Sequence, residues 1–322
     1  MSNGSTDLMA ICEICASVNF KSIATEIREG SGRIAKCLQC GLVIQDTSLS
    51  EAELKDYYNE DYQQTNSLRQ GAKQTPREHY EDRKQTIRGI LKKIRPFLRH
   101  DMKVLEVGCG TGEVLEAIKE NVAEVSGIEL NEDFVTFMNC ELGIEALAED
   151  GNKFAASGRK FDLIFSIATL DHLPNPLETL ISMRELLAPG GKMYIEVPNI
   201  DEAMNKYLPE ENRLRFNTFF WHKAHLFYFS KDSLTAILRK AGLASEITIR
   251  HEYTLSNFLN WYYLGTRQKA FVDATTDPKL FGGDSSFETK MNELFVQAEG
   301  DFHKIMEETG GGDTLCAIAM RL

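Results

Sequence analysis

Residues 104–118 read VLEVGCGTGEVLEAI. A short apolar run leads into three glycines at every second position, Gly108, Gly110 and Gly112, and a helix-spaced pattern follows. A strand that ends in such a turn and feeds a helix is a ligand-holding corner of a doubly wound α/β sheet. A dinucleotide site wants G-x-G-x-x-G, which would put a third glycine at position 113. That position is Glu113, and a carboxylate in the first helical turn would repel a pyrophosphate. Glu106 sits inside the strand end, and Glu129 ends the next strand, 21 residues past Gly108. An acidic residue at the second place accepts hydrogen bonds from ribose hydroxyls. The corner therefore suits a nucleoside with a cationic tail and no phosphates, a description that S-adenosylmethionine meets.

The rest of the chain agrees with that corner. Strand patterns at 103–107, 124–129, 144–148, 161–167 and 191–197 alternate with helix patterns at 112–120, 132–141, 176–188 and 231–241. Short apolar strands of this kind are buried on both faces, so the fold expected is a doubly wound, mostly parallel sheet. Ligands of such sheets bind at the carboxyl ends of the strands, where the glycine turn lies.

Composition narrows the class. The chain has 322 residues, of which 43% are apolar and 26% charged, enough for one large domain and a small one. No apolar run reaches the length of a membrane span. The start, MSNGSTDLMAICEIC, has no basic or apolar leader pattern, which points to the cytoplasm and to reduced thiols. A net charge of −12 argues against binding nucleic acid through bulk electrostatics. Residues 1–100 carry 15 Lys and Arg against 13 Asp and Glu, while the remainder is strongly acidic, so a boundary is expected near residue 100.

Four of the seven cysteines form two pairs, Cys12-x-x-Cys15 and Cys37-x-x-Cys40, with 21 residues between them. Each pair places two thiolates on one tight turn, and two pairs complete a tetrahedral site. Gly41 follows the second pair, and the intervening segment alternates like a hairpin with EGSG at its turn. This describes a zinc ribbon with a structural Zn²⁺, since four Cys ligands leave no position for water. Cys109, Cys140 and Cys316 lie in apolar contexts and read as small core residues. The organisation expected is a zinc ribbon over 1–48, a helical linker region over 49–100 and the large domain over 101–322, with helical insertions at about 200–222 and 254–312. In the linker region Ser50 and Glu53 form a capping-box pattern, and Tyr57, Tyr58 and Tyr62 either roof a pocket or pack a helix on the next domain. A helix is expected from Pro76 to Arg95, with Ile87, Ile90, Leu91 and Ile94 on one face. Its basic face, Arg88, Lys92, Arg95 and Arg99, reads as a solvated surface or a nucleic-acid patch.

VLEVGCGTG resembles the first motif of the class I S-adenosylmethionine-dependent methyltransferases, and GIEL resembles their second. FDLIFSIATLDHLPNPLETL and LLAPGGKMYIEVPN resemble the segments around their fourth and fifth strands. The resemblance spans about residues 76–250 and implies a seven-stranded Rossmann-like sheet. It implies that Glu106, Gly108, Cys109, Gly110 and Gly112 shape the methionine end of the cofactor site. It places the ribose on Glu129 and Leu130, the adenine near Glu149 or Asp150, and Ile167 and Ala168 along the cofactor. Asp171-His172 stands where these enzymes commonly have Glu-His.

Farther on, HLFYFSKDSLTAILRKAGL resembles a subset of these enzymes that act on small molecules, including sugar and polysaccharide methyltransferases. Sugar C-methyltransferases of this type carry a ribbon with two CxxC pairs and a segment like YHEHLSYFS that contributes a Tyr and a His to the active site. The segment here is HKAHLFYFS, in which His225 matches the second His, His222 stands at the Tyr and Ala224 at the Glu. His222 and His225 would be neighbours on a helix, as a general base and its partner or as two ligands of a second metal, for which the sequence offers no third. Phe258, Trp261, Tyr262 and Tyr263 read as core or as a stacking surface for the acceptor. The function expected is methyl transfer to a small polar acceptor, most simply a saccharide-like hydroxyl, with His225, His222, Asp171 or His172 taking the proton. An RNA methyltransferase that grips RNA through its ribbon, a sugar C-methyltransferase and a non-catalytic cofactor-binding module remain as alternatives.

Overall fold

Three strands near the N-terminus, β1 (Phe20–Ile27), β2 (Gly30–Cys37) and β3 (Val43–Asp46), form antiparallel neighbours. The computed structural model describes residues 11–46, 74–148, 158–267 and 280–322. The Ser50–Glu53 box, the three tyrosines at 57, 58 and 62, and Glu149 and Asp150 lie outside the described residues.

The apolar run before the glycines is β4 (Lys103–Val107), buried from Val104 onward. It is followed by β5 (Glu124–Ile128), β6 (Glu145–Leu147), β7 (Phe161–Ile167) and β8 (Leu187–Pro198). A short β9 (Phe227–Tyr228) precedes β10 (Leu243–Arg250) and β11 (Thr314–Arg321). The large sheet has the order β10-β11-β8-β7-β4-β5-β6. Its pairs are parallel except those of β11, which runs antiparallel to β8 and β10. The order reverses between β4 and β7, and the crevice at their carboxyl ends is the ligand edge of such a sheet. Six parallel strands plus an antiparallel strand between the last two give the Rossmann-like methyltransferase architecture.

The N-terminal strands do not stand apart from that domain. β3 pairs with β9, Val43 against Tyr228 and Ile44 against Phe227, so the small sheet runs β1-β2-β3-β9. Cys12, Ala35, Cys37, Leu42 and Ile44 belong to one apolar cluster with Leu226, Phe227, Phe229 and Leu234 of the large domain.

Two expectations need correction. The helix of 76–95 is two: α1 (Pro76–Lys84) and α2 (Arg88–Ile94). The Thr86 hydroxyl donates back to the Arg83 carbonyl at the break, the competition by which Thr loosens helices. Cys140 is exposed, whereas Cys109 and Cys316 are buried as expected. The stretch Met138–Leu142 is a π turn, which swings Cys140 outward while Met138 stays in the core.

The helix α3 (Glu113–Ile118) follows the glycines and α4 (Glu132–Phe137) follows β5. Beyond them come α5 (Pro176–Leu186), α6 (Ala203–Tyr207), α7 (Glu210–Phe220), α8 (Lys231–Lys240), α9 (Leu255–Leu264) and α10 (Ser286–Glu308). Trp261 of α9 is buried against Phe216 and Phe219 of α7, so this part of the aromatic stripe is core. Tyr262 and Tyr263 face outward. Among the described residues no helix is long and apolar enough to cross a membrane.

Candidate active site

The glycine turn leaves one open face. Gly108, Gly110 and Gly112 all have positive φ, at 77°, 54° and 78°. A Cβ on Gly108 would lie 2.3 Å from Thr169 Oγ1, and one on Gly112 would lie 2.7 Å from Met138 Sδ. These two are glycine because protein packs against them. At Gly110 the nearest atom would be Glu113 Oε2 at 3.9 Å, so the space before it is clear.

Glu113 and Glu129 border that space, and the charges of both act on a third carboxyl, Glu106. Glu129 Oε2 accepts from Gly110 N at 2.9 Å and Oε1 from Asn131 N at 3.0 Å. Burial raises the pKa of Glu129, opposed by its backbone donors. Glu106 is buried, and among the described residues its Oε2 has no hydrogen-bond partner. Burial, and after it the charge of Glu113, holds Glu106 well above the ordinary carboxyl range. Glu113 accepts from Thr111 Oγ1 at 2.9 Å and from Arg83 Nε at 3.1 Å. An orphaned buried carboxyl oxygen beside two further carboxyls lacks a cation, and an ammonium or sulfonium supplies one. The residues present therefore fit S-adenosylmethionine. Cys109 contributes only backbone, because its thiol points into the core, 3.7 Å from Met138 Sδ. Leu130 and Ile167 are half-buried at the same edge, and Ala168 follows in the left-handed region at φ 49°.

His79 of α1 escaped the sequence analysis. Its Nδ1 lies 3.4 Å from Thr111 Oγ1 and its ring 4.9 Å from Phe134, at the flank of the glycine turn. The available signal was its place one residue past Glu78 of the Thr75–Glu78 capping box.

Across the crevice stands a cluster that sequence spacing could not assemble. Asp171 and His172 lie in a single tight turn after β7. His225 reaches them from the segment before β9, and Leu226 N donates to Asp171 O at 2.8 Å. Asp171 Oδ2 is 3.5 Å from His172 Nε2 and 3.6 Å from His225 Nε2. Burial raises the pKa of Asp171 and lowers those of His172 and His225.

His222 does not join them. The segment is a turn closed by His225 N donating to His222 O at 2.9 Å, not a helix, so the two rings take different partners. Ala224 N donates to His222 Nδ1 at 3.0 Å, which leaves the proton on Nε2, 3.1 Å from Glu29 Oε1. Burial, and then the Arg28 charge, lower the His222 pKa to about 3, so the ring is neutral. The hairpin between β1 and β2 supplies more of this wall. Arg28 Nε donates to Phe219 O at 2.7 Å, and Glu29 Oε2 accepts from Lys223 N at 2.9 Å. With its amide nitrogen turned inward, Gln45 of β3 donates to the carbonyls of His222 and His225 at 2.9 and 3.0 Å.

The four paired cysteines converge as the spacing implied. Cys12 and Cys40 Sγ are 3.4 Å apart, Cys15 and Cys37 Sγ 3.6 Å, and all four lie within 4.8 Å of one another. Ala16 N and Gly41 N fold back onto Cys12 O and Cys37 O, closing both knuckles. Four sulfurs at this spacing fit a tetrahedral Zn²⁺.

Comparison with known proteins gives the family. A family described as a methyltransferase domain matches residues 79–246, just over half of the chain. A ubiquinone biosynthesis O-methyltransferase of Cereibacter sphaeroides is 28% identical over 164 residues, which is 46% of this chain and 62% of that protein. One from Azoarcus sp. is 32% identical over 103 residues, 30% of this chain and 44% of that protein. The chain thus spans less than two thirds of the curated relatives it matches. A solved methyltransferase of Archaeoglobus fulgidus superposes with a TM-score of 0.48 at 20% identity, over 75% of this chain and 96% of that one.

Proposed function

The chain belongs to the methyltransferase domain family, and from that premise we propose that it transfers a methyl group from S-adenosylmethionine to a hydroxyl of a small polar acceptor, a sugar, nucleotide sugar or related metabolite. The observation that carries this is the clear space before Gly110, bordered by Glu113 and Glu129, whose charges act on a buried Glu106 with an Oε2 that has no partner among the described residues. Glu106 and the glycine backbone hold the aminoacyl end, and Glu129 turns its carboxylate to the ribose hydroxyls. Bound there, S-adenosylmethionine offers a methyl group on a positively charged sulfur. The chain then has two tasks, to hold the acceptor oxygen in line and to remove its proton.

The second task falls to the cluster of Asp171, His172 and His225, at the carboxyl end of β7. His225 is the more exposed of its two imidazoles, which supports it as the one to meet the acceptor. His222 has both nitrogens engaged, and its role is to hold the turn. Oxygen as the methylated atom is supported by the names of the curated relatives, which are O-methyltransferases. An RNA acceptor is disfavoured because Arg28 and Glu29 at the hairpin tip are spent on Phe219, His222 and Lys223. Ala224, fully buried, brings no carboxylate where sugar C-methyltransferases have one.

Cys12, Cys15, Cys37 and Cys40 hold one structural zinc in the same proposal. Its work is to fix the knuckles, and with them β2 and β3, against β9.

The test is formation of S-adenosylhomocysteine from S-adenosylmethionine, followed by mass spectrometry across a panel of sugar nucleotides, free sugars and phenols. His225→Ala should lower kcat by about 10²–10⁴ and leave S-adenosylmethionine affinity nearly unchanged. Full activity in that variant would move the chemistry elsewhere, and turnover on RNA alone would replace the acceptor class.

A further inference from the structure

Among Asp171, His172 and His225, the carboxylate of Asp171 has a setting that hydrogen bonds within the described residues do not explain. Asp171 is 1% exposed, yet among the described residues neither carboxylate oxygen has a hydrogen-bond partner. Both imidazoles turn Nε2 toward the same oxygen, at 3.5 and 3.6 Å. Those separations are too long for hydrogen bonds, which close to about 2.9 Å. The two rings meet edge to face, at 60° with centroids 4.7 Å apart. A buried carboxylate without donors is costly, and the turn that carries it is pinned by Leu226 N on Asp171 O.

A cation removes the difficulty. Two ligand atoms about 2.1 Å from one ion, at near-tetrahedral angles, are about 3.4 Å apart. One ligand atom from each of the three residues lies within 4.8 Å of the others. Two imidazoles and one carboxylate suit a first-row divalent transition ion better than Mg²⁺ or Ca²⁺, which prefer oxygen throughout. Three protein ligands also leave coordination positions open, unlike the four-cysteine site. The sequence offered His222 and His225 as two ligands of a second metal with no third; in the structure Asp171 and His172 stand beside His225 instead.

We propose that Asp171, His172 and His225 bind a divalent first-row transition ion, distinct from the ribbon's, whose open positions take the acceptor hydroxyl. Its catalytic part rests on the methyl-transfer proposal above; the binding part does not. His225 then acts as a ligand through Nε2. The hydroxyl, more acidic on the ion, releases its proton to solvent beside the partly exposed His225. The oxygen lone pair forms the new C–O bond, the C–S bond breaks, and its electron pair stays on sulfur as S-adenosylhomocysteine.

Cobalt titration of the zinc-loaded 322-residue chain tests the site without turnover. One further equivalent of Co²⁺ should bind, with weak visible bands of nitrogen and oxygen ligation and no thiolate charge-transfer band. Asp171→Asn should abolish that equivalent, and Cys37→Ser should leave it in place. Proton NMR of the wild type covers the case in which a variant fails to fold: His172 and His225 ring signals should shift and broaden, and those of His79 and His251 should not. A thiolate spectrum, no second equivalent, or larger shifts at His79 and His251 than at His172 and His225 would overturn the site. Binding of cobalt with turnover unaffected by chelator would leave the site standing and remove its catalytic role, while failure to form S-adenosylhomocysteine with any acceptor would count against the methyl-transfer proposal alone.

Discussion

His222 Nε2 lies 3.1 Å from Glu29 Oε1, so a residue of the N-terminal hairpin orients a histidine that is 193 positions away in the chain. Because Nδ1 is occupied by Ala224 N, the contact is a hydrogen bond from a neutral imidazole to a carboxylate, stronger than a neutral pair.

Glu29→Ala should therefore destabilise the protein by about 1–3 kcal/mol, since the buried Nε2–H loses its acceptor. His222→Ala should cost a similar amount, and the double variant less than the sum. Urea denaturation of the four proteins gives the coupling. Additive losses would mean that the contact carries no energy of its own.

Purified protein should hold one zinc in the four-cysteine site, and Cys40→Ser should release it. Because β3 pairs with β9 next to the histidine turn, activity should fall together with the metal. Metal analysis alongside a kcat measurement decides this. Full activity in a zinc-free variant would detach the ribbon from the active site.

Gly108→Ala and Gly110→Ala should differ in kind. The first places a Cβ 2.3 Å from Thr169 Oγ1 and should lower stability by about 1–3 kcal/mol. The second meets only Glu113 Oε2 at 3.9 Å, so stability should fall by about 1 kcal/mol from the positive φ while S-adenosylmethionine affinity falls much further. Glu129→Ala should weaken the cofactor by about 1–3 kcal/mol. Calorimetric titration and thermal melts separate the two effects. Wild-type affinity in both Gly110→Ala and Glu129→Ala would place the cofactor elsewhere.

Acid stability should depend on Asp313. Burial opposes its ionisation, but the hydrogen bond and charge of His251, at 2.9 Å, together with Thr314 and Glu252 N, hold its pKa below the usual value. Nearby Glu202 takes the opposite course, raised well above the ordinary range by burial and then by the Asp313 charge. A depressed carboxyl stabilises the fold above its unfolded pKa and loses that contribution as pH falls through the folded value. Asp313→Asn should then lower stability at pH 7 and flatten its decline below about pH 4. Parallel curves for the two proteins in denaturant at pH 3–7 would refute this.

Much of the large domain could be read from local patterns. Strands such as Lys103–Val107 and Phe161–Ile167 are short, largely apolar stretches that alternate with helix patterns, so periodicity located them. The glycine turn was legible because its conformation admits few other residues. Local patterns fail where partners are distant. Nothing near Asp171 in the sequence announces His225, and nothing near Glu29 announces His222. Spacing suggested instead that His222 and His225 share a helix face, but the turn between them sends the rings to different partners. Cys140 was misplaced because an apolar neighbourhood does not reveal a π turn.

The pairing of β3 with β9 also sets a timetable for synthesis. Asp46 is made 182 residues before Tyr228, so the outer edge of β3 must wait for its partner. At about 5–20 residues per second the wait lasts roughly 10–40 s. Throughout it, the ribbon displays an unpaired strand edge carrying Val43 and Ile44, the kind of edge that recruits other chains. The nascent protein should therefore be most prone to aggregate after the ribbon has emerged from the ribosome and before the histidine turn has.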